Sequence, residues 1–180
     1  MFSKETLEVM LNEWIEQKKK EPSVSGFCGR FVGFLGAAIA IPSIVLDNID
    51  FRKRKAERGD ETFSKMLLRL IHKSGEKPST IYKRANIDRR HFSKIINHDD
   101  YQPSKQTALS FVIALKLDYE KTQKLLATAG YTIGNSTLDD IIISFFIEHK
   151  IFDVDLINEF LYKYEQPLLG AGDPRDDKEK

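Results

Sequence analysis

The sequence predicts an all-α fold, and three observations predict it. Apolar residues recur at three-and-four spacing along most of the chain. Residues suited to starting a helix, Ser and Asp, and to ending one, Gly and Asn, punctuate those runs. The composition, 41% hydrophobic and 31% charged over 180 residues, is that of a folded globular chain and not of a disordered one. This length allows one sizeable core, or a small domain with folded extensions. Five of the predicted helices fall within residues 60–130, with additional amino- and carboxy-terminal helices on either side.

Ser3 caps a first amphipathic helix that runs to about Lys20, with Leu7, Met10, Leu11 and Trp14 on one stripe; Pro22 stops it, so this unit is residues 1–21. Residues 22–59 change character. Val24 to Leu46 is apolar, with glycines at 26, 29, 33 and 36, and the basic run Arg52 to Arg58 follows. The uncharged part, Phe31 to Leu46, would reach only about 24 Å as a helix, short of the roughly 30 Å hydrocarbon core, and Pro42 interrupts it. A segment outside the membrane is the preferred reading. Counted from Val24, however, the span has adequate length with Arg30 its only charge, and Arg52-Lys53-Arg54-Lys55 follows as a positive flank would, so a membrane-associated segment is the competing reading. The glycines spell no dinucleotide or phosphate-binding motif.

From Asp60, a candidate cap, the helical signals become regular. Phe63, Met66, Leu67, Leu70 and Ile71 mark one helix, which Gly75 ends. Pro78 and Ser79 open a short second one carrying Ile81, Tyr82 and Ala85; it closes at Asn86, a residue that tolerates a left-handed backbone. Asp88 caps a third, with Phe92, Ile95 and Ile96 inward and Arg89, Arg90, Ser93 and Lys94 outward. Ser104 caps a fourth with Ala108, Phe111, Val112 and Leu115 inside, and Asp118 a fifth with Thr122, Leu125, Leu126 and Ala129, terminated by Gly130. Residues 131–169 hold two further helices, capped near Ser136 and by Asp153, each strongly apolar on one side. Too short for a core of their own, they are expected to pack on the five-helix unit, on the first helix or on a second copy of the chain. Residues 170–180 read as a frayed, charged tail.

The formal charge of +1 hides a polarity: residues 1–50, 51–59, 60–130 and 131–180 carry −2, +4, +5 and −6. A basic centre beside an acidic end suits a polyanion-binding module with a separate interaction extension, the alternative being solvated helix surface. Cys28 stands alone, which excludes an intramolecular disulfide and a cysteine zinc site. The start, Met1-Phe2-Ser3-Lys4-Glu5, lacks the pattern of a secretory signal, so the cytoplasm is the expected location. His72, His91, His98 and His149 show no metal-ligand spacing, and neither metal nor cofactor is expected. Asp99-Asp100 and Asp139-Asp140 are sequence neighbours that rarely aim at one point, and no Ser-His-Asp, Cys-His or phosphate-loop arrangement is present, so the chain does not read as an enzyme.

The stretch Ile81-Tyr82-Lys83-Arg84-Ala85-Asn86-Ile87-Asp88-Arg89-Arg90-His91-Phe92-Ser93-Lys94-Ile95-Ile96-Asn97, followed by Gln102-Pro103-Ser104 and Thr107, resembles the phage-repressor (Xre/Cro-type) helix-turn-helix family over residues of about 60–130. Ile81, Ile87, Phe92 and Ile95 fill the family's apolar positions, while Asn86 replaces the usual turn glycine and Tyr82 the usual alanine. The resemblance implies a five-helix repressor-like domain that regulates transcription by binding double-stranded DNA, with Arg89, Arg90, Ser93 and Lys94 at base edges and Ser79, Lys83 and Arg84 at phosphates. It further implies a homodimer, whose interface the amino- and carboxy-terminal helices would supply. A protein adapter built on the same fold, its partner a protein, is the alternative.

Overall fold

The computed structural model of the chain describes residues 3–20, 61–98 and 101–170. Among them the fold is all-α, eight helices and no strand: α1 Lys4–Lys20, α2 Phe63–Ser74, α3 Pro78–Arg84, α4 Arg89–Asn97, α5 Lys105–Ala114, α6 Tyr119–Thr128, α7 Leu138–Glu148 and α8 Val154–Lys163. The apolar segment 24–46, the basic run 52–58, Asp60, the pair Asp99-Asp100 and the tail beyond Gly170 lie outside the described residues.

Most helices begin where a short polar side chain can accept from an otherwise unpaired backbone N–H. Ser3 accepts from Thr6, Asp88 from Arg90, Ser104 from Thr107, Asp118 from Lys121, and Asp153 from both Asp155 and Leu156. Two starts differ from the sequence expectation. Thr62 caps α2, accepting from Lys65 N–H. At α7 the cap position is Thr137, with no side-chain bond; Asp139 and Asp140 supply negative charge to its first turn instead.

Five helices end in one way. After α3, α5, α6, α7 and α8 a residue with positive φ reverses the chain: Asn86, Lys116, Gly130, Lys150 and Glu165. The N–H of the next residue then bonds back to a carbonyl one turn inside: Ile87 to Tyr82 (2.9 Å), Leu117 to Val112 (3.1 Å), Tyr131 to Leu126 (2.9 Å), Ile151 to Phe146 (2.9 Å) and Gln166 to Leu161 (2.8 Å). This is the Schellman closure, which satisfies terminal carbonyls and, where the next residue is apolar, turns it into the core. Ile87 and Leu117 are buried accordingly, and Tyr131 and Ile151 are half-buried.

The core is one continuous cluster to which all eight helices contribute. Two helices at its centre are buried on every side: α5 from Thr107 to Ala114, and α7 from Asp140 to Ile147. One-sided burial was the expectation for both; the difference arises because α5 is covered by α3, α6 and α8, and α7 by α1, α6 and α8. α2 closes the other side, against α4 and α6. The carboxy-terminal helices therefore pack on the central helices and on α1, two of the three options the sequence left open.

Leu7, Leu11 and Ile15 bury the inner stripe of α1, and Trp14 stands edge-on to Phe145 and His149, with centroids 6.0 and 5.8 Å apart. Lys4 pairs with Glu159, Lys163 with Glu8, and the Tyr164 hydroxyl bonds Asn12, tying α1 to α8 and the turn beyond it. Those exposed ion pairs contribute roughly 0–1 kcal/mol each. The three buried aliphatic side chains contribute about 1.5–3 kcal/mol each, so the apolar seam decides where α1 sits. No described helix is long and apolar enough to cross a membrane.

Candidate nucleic-acid interface

Two short helices, α3 and α4, are joined by a four-residue turn, Ala85 to Asp88. Ile81, Ala85 and Ile87 are buried and hold α3 and the turn to the core. Phe92 and Ile95 do the same for α4, with the Phe92 ring between Tyr82 (5.1 Å) and Phe111 (6.0 Å). Ser64, buried on α2, donates to the Ile95 carbonyl at 2.6 Å, which satisfies one of the acceptors left open at the end of α4. Anchored on that side, α4 turns the opposite face outward.

Arg89, Arg90 and Ser93 are exposed on that outward face. Lys94 is half-buried, its ammonium 5.0 Å from the centre of the Tyr101 ring, a cation–π distance. Tyr101 in turn contacts His91, hydroxyl to Nε2 at 3.2 Å, so the loop after α4 is fastened to its flank. Asp88, the cap of α4, accepts the Arg90 N–H at 2.7 Å. On α3, Ser79 and Lys83 are exposed.

Arg84 is used differently. Its guanidinium forms a two-pronged pair with Glu76 (3.0 and 2.6 Å) and donates to the Ala114 carbonyl at 2.8 Å, bracing α3 against the end of α5. The hydrogen bonds to Arg84 hold the Glu76 carboxyl below its ordinary pKa, and Glu76 raises that of Arg84 in return. Arg69 is similarly committed to Glu61. Arg89, Arg90 and Lys83, by contrast, make no ion pair among the described residues. The structure thus gathers Arg89, Arg90, Ser93, Ser79 and Lys83 on one connected pair of helices, keeps Lys94 at its edge, and sets Arg84 behind it.

Asn97 was not singled out by the sequence. It is exposed, and its side-chain amide donates to Ser93 Oγ at 2.9 Å, extending the polar row Arg89, Ser93, Asn97 along α4. Spacing of four residues was the available signal. The adjacent carboxylates Asp139 and Asp140 do part ways. Asp140 is 4% exposed, with Lys105 Nζ 2.7 and 2.8 Å from its two oxygens and the Gly134 N–H at 3.3 Å. Burial raises its pKa, against the lowering effect of Lys105. Among the described residues no group of three or more His, Cys, Asp or Glu is placed to hold a metal ion. Compared with family models, curated proteins and solved structures, the chain finds no match in any of the three.

Proposed function

We propose that the chain is a double-stranded DNA-binding transcription regulator of the repressor-like helix-turn-helix type, with α3 and α4 as that motif inside the five-helix set α2 to α6. The observation that carries this reading is a set of exposed cations: Lys83, Arg89 and Arg90 make no ion pair among the described residues, and they stand on a helix pair whose inner side is fixed by buried Ile81, Phe92 and Ile95. At 1.5 Å per residue α4 is about 14 Å long, which suits the roughly 12 Å width of the major groove. Arg89, Arg90 and Ser93 would face base edges with Lys94 beside them, and Ser79 and Lys83 would meet phosphates, braced by Arg84. The reading involves no catalytic step and no cofactor.

A salt-series titration on mixed duplex fragments tests it. Wild type should bind with log affinity falling linearly with log salt; an Arg89→Ala, Arg90→Ala double variant that keeps its circular dichroism should bind about 10- to 1,000-fold more weakly, with a shallower slope. Absence of wild-type binding at low salt would overturn the reading in favour of a protein adapter. One observation favours that second reading: Tyr162 on α8 is 77% exposed and Val9 on α1 60% exposed, a large aromatic and an aliphatic side chain left uncovered. A homodimer, if formed through these helices, would use such residues, because the inner stripes of α1, α7 and α8 are already buried within the chain.

A further inference from the structure

We infer that the segment after α8 is a strap that fixes the α3–α4 turn, with Asp155, Asn158 and Gly170 as positioning residues for α4. Asn86 supplies the left-handed residue of the turn, φ 54°, and its side-chain amide donates to Asp155 Oδ1 in the first turn of α8 at 2.7 Å. Beyond α8 the backbone of Leu169 is clasped by one side chain: its N–H donates to Asn158 Oδ1 (2.8 Å), and its carbonyl accepts from Asn158 Nδ2 (3.0 Å). The Leu169 side chain is buried, so the clasp is also anchored in the core.

This places Gly170 directly on the turn. A Cβ at Gly170 would lie 2.7 Å from Asn86 Cβ, 2.8 Å from the Ala85 carbonyl oxygen and 2.9 Å from the Asn86 carbonyl oxygen, and its φ of 73° is one that other residues adopt at a cost. The turn does not need these contacts to close, since the Ile87 N–H bonds Tyr82 and Asp88 caps α4. Their effect is to couple the turn to α8, which rests on α5 and α7. The direction in which α4 leaves the turn, and with it the aim of Arg89 and Arg90, is thereby held by the Asp155 bond and by the backbone at Gly170 as well as by the core. The mechanical inference stands by itself; only its consequence for affinity rests on the DNA-binding reading.

Hydrogen exchange of the full chain tests it, with Gly170→Ala, Asp155→Ala and Asp155→Asn beside wild type. Gly170→Ala and Asp155→Ala should speed exchange of amides in residues 85–97 by about tenfold or more, while those of α1 and α2 stay within about twofold. Asp155→Asn keeps an oxygen for the Asn86 amide and should stay within about threefold of wild type. Unchanged exchange at 85–97, or a uniform rise in all helices, would overturn the strap. Equal effects of Asp155→Asn and Asp155→Ala would also overturn it, by assigning the change to lost charge at the start of α8. Duplex affinity of the same variants is the separate functional readout: about tenfold weaker binding with the wild-type salt slope is expected, because aim and not the number of cations has changed. If wild type binds no duplex, the DNA reading fails while the exchange pattern still decides the strap.

Discussion

Asp140 and Lys105 show how one residue's environment sets its role. The carboxylate is buried at the start of α7, and its ordinary pKa of 3.8 is raised mainly by desolvation. Between 3.8 and the elevated folded value, the folded chain holds a proton that the unfolded chain has released, so this group's contribution to stability falls as pH rises through that window. Removing the neighbouring ammonium extends the window upward. Lys105→Met should therefore destabilise by about 3 kcal/mol near neutral pH, because it strands a buried charge, and by less as the pH is lowered towards about 5. Asp140→Asn leaves a lysine that is partly exposed already and should cost under half as much. Urea unfolding at the two pH values checks this; equal losses for the two variants would remove the buried pair from the account. None of this was legible in the sequence, where Asp139 and Asp140 look alike. The exposed cation Arg90 was legible, because helical spacing sets Arg90 and Ser93 away from the stripe of Phe92, Ile95 and Ile96. Arg84 was not, since its partners Glu76 and Ala114 come from outside its own helix.

Helix ends are where local sequence speaks most directly. Asp88, Ser104, Asp118 and Asp153 each cap the helix they were expected to cap, because a cap needs only its own side chain and the next two or three N–H groups. Ends marked by Gly75, Asn86 and Gly130 were equally readable. Lys116, Lys150 and Glu165 were not: nothing in a lysine or glutamate announces a left-handed backbone, which here closes the helix end by the bonds Leu117 to Val112, Ile151 to Phe146 and Gln166 to Leu161. That conformation has a cost which glycine would relieve. Lys116→Gly and Lys150→Gly should each stabilise the protein by about 0.5–1 kcal/mol, raising the melting temperature by roughly 1–4 °C. Ala127→Gly, inside α6, should lower stability by about 1 kcal/mol and serves as the control. A loss in all three variants would show that the lysines are not strained. All-round burial of α5 and α7 also escaped the sequence, since periodicity reports one apolar face and cannot say how many neighbours a helix acquires.

At the scale of the molecule, α1 is the test of whether the chain is one cooperative body. Trp14 is the single tryptophan and lies at the α1–α7 seam, so its emission reports docking of α1 alone while far-ultraviolet dichroism reports all helices. Leu11→Ala should destabilise the whole protein by about 2–5 kcal/mol, with the two signals moving together in a denaturant titration. A tryptophan transition that precedes loss of helicity would make α1 a detachable appendage. The same seam carries a consequence for synthesis. α1 leaves the ribosome well before α7, the helix it packs against, which is completed only at Glu148. At 5–20 residues per second this leaves a greasy amphipathic helix waiting roughly 6–26 s for its seat, the interval in which a nascent-chain chaperone would find it.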